Sequence, residues 1–263
     1  MIAQAAEAKQ FMDERRKALF DQLEVVGYLP EMRKLVMRMA TPFWWFGMDE
    51  TGRLRVFHNG TLTVFHSGVR QIGVTADHVY EQYLIDKGRL ESFGCQFGGA
   101  TAEPEKWLID RSKRADLATF QIPDVILGLA NLHPHYPVQW PTEQACEREV
   151  VIYGGYPGSL REEKGEVIEA PFETLASAVT SVSPLQLGLN IDMANLHWPF
   201  HDGEQINTAL GGMSGGGVYR VIEEPIERVE LIGFIYEHSE QFDLMFARHA
   251  RFISEVGAIH FDE

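Results

Sequence analysis

At 263 residues, with 45% hydrophobic and 23% charged positions, the chain has ordinary globular proportions that exclude a disordered or fibrous protein. Its length suits one large all-β unit or two small lobes. A formal net charge of −15 excludes nucleic acid as the main partner, because phosphate binding needs a basic footprint.

Residues 1–40 read as a helical extension. Met12, Leu19, Leu23 and Val26 fall on one helical face, and Pro30 opens a second helix continued by Leu35, Val36 and Met39. The opening MIAQAAEAKQFMDERRK lacks the uninterrupted apolar core of a secretory signal. No run in the chain approaches the roughly 18 apolar residues of a membrane span. A cytoplasmic protein without membrane contact is therefore expected. Isolated helices of this length are marginal in water, so the extension is expected to pack on the rest of the chain or on a protein partner.

From Thr41 the pattern turns to strands, giving a first β lobe over residues 41–130. Arg53 and Arg55 alternate with Leu54 and Val56, and Thr61 and Thr63 alternate with Leu62 and Val64. Asn59-Gly60 between these runs predicts a hairpin turn, since both residues tolerate positive φ. Further strands are expected at 70–75, 108–109 and 117–122. Pro134, Pro137 and Pro141 mark an extended linker over 131–147. The second lobe, 148–263, offers strands at 149–153, 172–182, 216–222 and 229–236. A C-terminal helix over 249–256 would place Phe252, Ile253 and Val256 on one face. Many short strands between Gly and Pro turns predict a barrel or sandwich rather than βαβ units. Cys95 and Cys146 are too few for a disulfide framework and are expected to be reduced thiols.

Three short motifs carry chemistry. Leu210-Gly211-Gly212-Met213-Ser214-Gly215-Gly216-Gly217 places a serine among glycines, which let a backbone approach a substrate carbonyl closely. A serine hydroxyl is a poor nucleophile unless a base takes its proton. Val74-Thr75-Ala76-Asp77-His78 sets a histidine just past an apolar strand, and Asp116 opens the apolar run Leu117-Ala118-Thr119-Phe120. The chain order His, Asp, Ser is that of chymotrypsin-type triads, whereas subtilisins and α/β-hydrolases use other orders.

On these residues the chain resembles the trypsin-like serine peptidases, in their intracellular bacterial form. The histidine segment is similar to the family's TAAH motif, Asp116-Leu117-Ala118 to its D-[IL]-A motif, and Gly212-Met213-Ser214-Gly215-Gly216 to its G-x-S-G-G motif. The segment from Val151 to Pro157 resembles the start of the family's second barrel. Leu231-Ile232-Gly233-Phe234-Ile235 resembles the strand beside its specificity pocket. The resemblance implies an all-β double barrel over roughly residues 41–257 and a serine endopeptidase that needs no cofactor. It implies His78 as base, Asp116 as its orienting carboxylate, Ser214 as nucleophile, and the N–H groups of Gly212 and Ser214 as oxyanion hole. Protein or peptide is the implied substrate, and Thr208, Tyr236, Glu237 and His238 are candidates for its pocket. Small or apolar side chains are the first expectation there, with Glu or Gln next.

This sequence departs from the family at Asp77, where alanine is usual. Its carboxylate either raises the pKa of His78 or points to solvent, the second being the plainer expectation. Met213 stands where secreted trypsins place the aspartate that receives a freed N-terminus, so activation of that kind is not expected. Other classes fit less well. An α/β-hydrolase needs its aspartate and histidine after the serine, and little chain follows Ser214. His133, His135, His197 and His201 lack the company of a metal site, and Pro199 interrupts the last pair, so no metal is expected. A protease fold retained as a binding module, with little or no turnover, remains the principal alternative.

Overall fold

The computed structural model describes residues 28–164, 167–191, 210–222 and 228–261. The chain divides into two compact units, Met1–Leu35 and Val36–Glu263. Helix α1 (Tyr28–Arg38) has Glu31 in its first turn and Arg38 in its last, each sign suited to its end of the helix dipole. The rest of the expected N-terminal helical extension lies outside the described residues.

The second unit is mostly β. Strands β1 (Ala40–Met48), β2 (Leu54–His66), β3 (Gln71–Thr75), β4 (Gly94–Phe97), β5 (Ala100–Thr101), β6 (Leu108–Ser112) and β7 (Leu117–Gln121) form one sheet in the order β5-β4-β1-β2-β3-β7-β6. Helix α2 (Asp77–Arg89) follows β3, and short helices α3 (Pro104–Trp107) and α4 (Asp124–Leu129) flank β6 and β7. Phe43, Trp45, Tyr80, Tyr83, Phe97 and Phe120 fill this core. Each such phenylalanine contributes about 2 kcal/mol by leaving water.

Strands β8 (Val150–Gly155), β11 (Glu173–Val182), β12 (Leu187–Asn190), β13 (Gly217–Ile222), β14 (Arg228–Ser239) and β15 (Leu244–His249) close into a six-stranded barrel, and β9 (Glu162–Lys164) and β10 (Val167–Glu169) form a separate ribbon. Tyr153, Leu175, Leu189, Met213, Val218 and Met245 lie in the barrel core. Residues 131–147 run between sheet and barrel. There His135 bridges Phe65 of β2, and Trp140 stacks on Phe65 at 4.0 Å while donating to the Ile253 carbonyl at 2.9 Å.

Two expectations are corrected. Asn59-Gly60 is no hairpin turn, because β2 runs straight through it with Gly60 opposite Phe43. The turn lies earlier, where Asp49 Oδ1 accepts the N–H groups of Thr51 and Arg53. Glycine is needed mid-strand for closeness, since a Cβ at Gly60 would meet Val79 Cγ1 at 2.4 Å. Asn59 is turned outward to bond the Tyr156 carbonyl and Arg161. Nor do residues 249–256 form an α-helix. His249 ends β15, Ala250–Phe252 is a single 3-10 turn, and Ile253 bridges Ile259. The turn between them needs Gly257 at φ 85°, which a helix does not allow.

Candidate active site

His78 stands in the first turn of α2, just past the extended Ala76. Its Nδ1 lies 2.8 Å from Asp116 Oδ2, and its backbone N–H donates to Asp116 Oδ1 at 2.9 Å. A carboxylate facing Nδ1 fixes the proton there in the neutral ring and leaves Nε2 to act as a base. Burial pulls the His78 pKa down. The hydrogen bond and charge of Asp116, joined by the charge of Asp77, outweigh it and hold the imidazole above its ordinary value.

Asp116 occupies left-handed backbone at φ 52°, which costs a non-glycine residue about 1 kcal/mol or more. Its loop is tied from both sides. The Ala115 N–H donates to Ser112 Oγ at 3.1 Å, and the Ala115 carbonyl accepts from Arg248 Nε of β15 at 2.8 Å.

Asp77 does not point to solvent. It is 1% exposed, and Arg111 of β6 donates Nε to Oδ1 at 2.6 Å and Nη2 to Oδ2 at 2.8 Å. Carboxylates are rarely buried without such a partner, and arginine matches both oxygens at once.

The serine loop is positioned through its backbone. Thr61 of β2 donates its N–H to the Ser214 carbonyl at 2.9 Å and its Oγ1 to the Gly212 carbonyl at 2.8 Å. Thr63 Oγ1 donates to the Gly215 carbonyl at 2.8 Å. Gly215 sits at φ 93°, and a Cβ there would come within 2.1 Å of the Thr61 oxygen and 2.7 Å of Thr75 Cα. Only glycine fits. Thr75 ends β3 three residues ahead of His78, so Gly215 packs against the strand that leads into the histidine.

Within the loop, Met213, Gly215 and Gly216 donate their N–H groups to the Leu210, Ile235 and Met213 carbonyls. Among the described residues, the N–H groups of Gly212 and Ser214 have no acceptor. Among the same residues the Ser214 hydroxyl makes no hydrogen bond, to His78 or elsewhere.

A cleft of about 420 Å³ opens beside the pair, lined by His78, Asp116, Arg114, Tyr236, Glu237 and Arg248 among others. Tyr236 and Glu237, two of the candidate pocket residues, line this cleft. The Tyr236 hydroxyl donates to Gln186 at 2.5 Å, and its ring carries the Arg248 guanidinium at 3.9 Å. His238 does not line this cleft; it pairs with Met245 across β14 and β15. Thr208 lies outside the described residues, as do His197 and His201. Among the described residues no group of three or more His, Cys, Asp or Glu could hold a metal ion, and no helix is long and apolar enough to cross a membrane. Cys95 is buried and Cys146 exposed, and they are not bonded to each other.

Sequence reasoning missed Thr61, Thr63, Arg111 and Arg248. The threonines carried a signal, because two fully buried hydroxyls on alternate strand positions need partners. The arginines carried none, for their partners are distant in the chain.

No family model matches the chain, and no curated protein matches it. Solved structures do match. One comes from work on aromatic interactions in the coupled folding and binding of the intrinsically disordered VPg protein of Sesbania mosaic virus. It aligns over 82% of this chain and 94% of its own, at 11% identity and a TM-score of 0.44. A likeness at that level carries no argument about activity.

Proposed function

We propose that the protein is a trypsin-like serine endopeptidase with His78, Asp116 and Ser214 as its triad. One juxtaposition carries the reading. A histidine locked to a carboxylate follows the strand end, Thr75, against which the loop of a glycine-cradled serine packs, and the N–H groups of Gly212 and Ser214 have no acceptor among the described residues. Ser214 Oγ attacks the scissile carbonyl carbon and passes its proton to His78 Nε2, while Asp116 stabilises the imidazolium. The Gly212 and Ser214 N–H groups receive the developing oxyanion. Collapse expels the amine with the proton from His78, and water repeats the sequence to free the acid. On this reading the seven-stranded sheet is the first of two barrels. Residues 102–107 alone connect its two edge strands, β5 and β6, which draws those edges together. Protein or peptide is the substrate, a protein partner is proposed for the N-terminal extension, and the location is cytoplasmic.

A fluorophosphonate probe tests the reading. It should label the wild type and leave Ser214→Ala and His78→Ala unlabelled. The second reading, a protease fold kept as a binding module, is favoured by the absence of a Ser214–His78 hydrogen bond. Absence of labelling in folded wild type would decide for it.

A further inference from the structure

Two neighbouring carboxylates compete for the candidate base. Asp116 holds the Nδ1 of His78, while Asp77 precedes His78 in the chain and adds its negative charge to the imidazole's surroundings. A histidine between two unshielded carboxylates has two partners to choose from, and only the Nδ1–Asp116 pairing leaves Nε2 as the free base. The hairpin of β6 and β7 meets both. Its turn delivers Asp116 to His78, and β6 delivers Arg111, paired in register with Ala118, to Asp77. Arg111 grips both Asp77 oxygens and lies 5.3 Å from the centre of the buried Tyr80 ring, which limits its own freedom.

We propose that Arg111 is a positioning residue for His78: by binding both oxygens of Asp77 it turns that carboxylate from the imidazole and leaves Asp116 as the partner. The inference rests on His78 being the base, but its main readout does not require turnover. The remaining charged or titratable groups at the cleft are Glu81 from α2, Lys113 and Arg114 from the β6–β7 turn, Tyr236 and Glu237 from β14, and Arg248 from β15. Glu81 and Lys113 pair with each other at 2.5 Å. Arg248 is bonded to carbonyl oxygens of Ala115 and Leu185. None of these takes over the Arg111 contact to Asp77.

The test is an NMR titration of the His78 ring in the wild type and four variants. Arg111→Met leaves Asp77 uncompensated, so the imidazolium is favoured and the midpoint moves up. Adding Asp77→Asn to that variant returns it to or below the wild-type value. Arg111→Lys, a point charge without the fork, restores part of the difference. Asp77→Asn alone keeps the shape and moves the midpoint down, and Arg111→Lys, which keeps a charge at the site, carries the comparison if Arg111→Met fails to fold. Where fluorophosphonate labelling is seen, its rate in Arg111→Met falls severalfold at pH 7 and recovers at higher pH. A folded Arg111→Met with an unchanged midpoint, or Asp77→Asn alone without the downward move, overturns the proposal. Absence of labelling in wild type would overturn the peptidase reading while leaving the titration to decide this one.

Discussion

His78 and Asp116 meet through the Asp116 carboxylate, which takes both the ring Nδ1 and the backbone N–H of His78, while Ser214 is carried on a loop whose carbonyl oxygens are bonded to β2. In the first region each contact belongs to a replaceable side chain. In the second, glycines and main-chain atoms do the holding, and the partners are threonines far back in the chain. The contrast teaches that local substitution should detune the histidine region but dismantle the serine region.

The harshest way to break that contrast is Gly215→Ala. Positive φ and the clash with the Thr61 oxygen should together cost about 3 kcal/mol or more, with loss of probe labelling. Chemical denaturation measures it, and a stable, labelled variant would refute backbone control of the loop.

The junction between the regions supplies the next test. His135 is 6% exposed, its ring edge-on to Tyr219 at 5.8 Å, and burial holds its pKa down at about 4. Between pH 6.5 and about 4 the unfolded chain takes up a proton there that the folded chain refuses. Stability should therefore fall by about 3 kcal/mol as pH drops through that window. His249, also held low by burial, adds in the same direction. Denaturation curves of His135→Phe should lose the His135 part of this fall and keep that of His249.

Thr61→Val sharpens the comparison further. It removes the donor to Gly212 and the acceptor of the Tyr156 N–H, leaving two groups unpartnered for a loss of about 2 kcal/mol. Labelling should slow while the His78 titration stays in place.

Asp116→Asn should have the smallest effect on stability and a clear one on titration, lowering the His78 midpoint. Because the folded pKa of His78 is raised, its contribution to stability is full below pH 6.5 and fades as pH rises through the folded value. Proton-resolved NMR would show the change, and an unmoved midpoint would deny Asp116 its role.

Strand β2 was legible in the alternation around Leu54–Val56 and Thr61–Val64, and His78 and Asp116, which do meet, in the short motifs around each of them. What the sequence concealed depends on distant chain. Asn59-Gly60 carries a strong local hairpin signal, yet Val79 and Tyr156 claim it for close packing. The helical spacing of Phe252, Ile253 and Val256 lost to the Ile253–Ile259 bridge and the Gly257 turn. Asp77 read as a surface residue because nothing nearby announces Arg111.

The threonine contacts to the serine loop have a consequence for the order of assembly. Thr61 and Gly212 are 151 positions apart, so the loop has no template until β2 is already in place. During synthesis the Gly212–Gly216 segment emerges after β2 and finds these threonine partners only once that strand is in place. Neither fragment of a chain severed between 131 and 147 holds both Thr61 and Ser214. An unfinished or broken copy would thus lack the threonine contacts that hold the loop around Ser214.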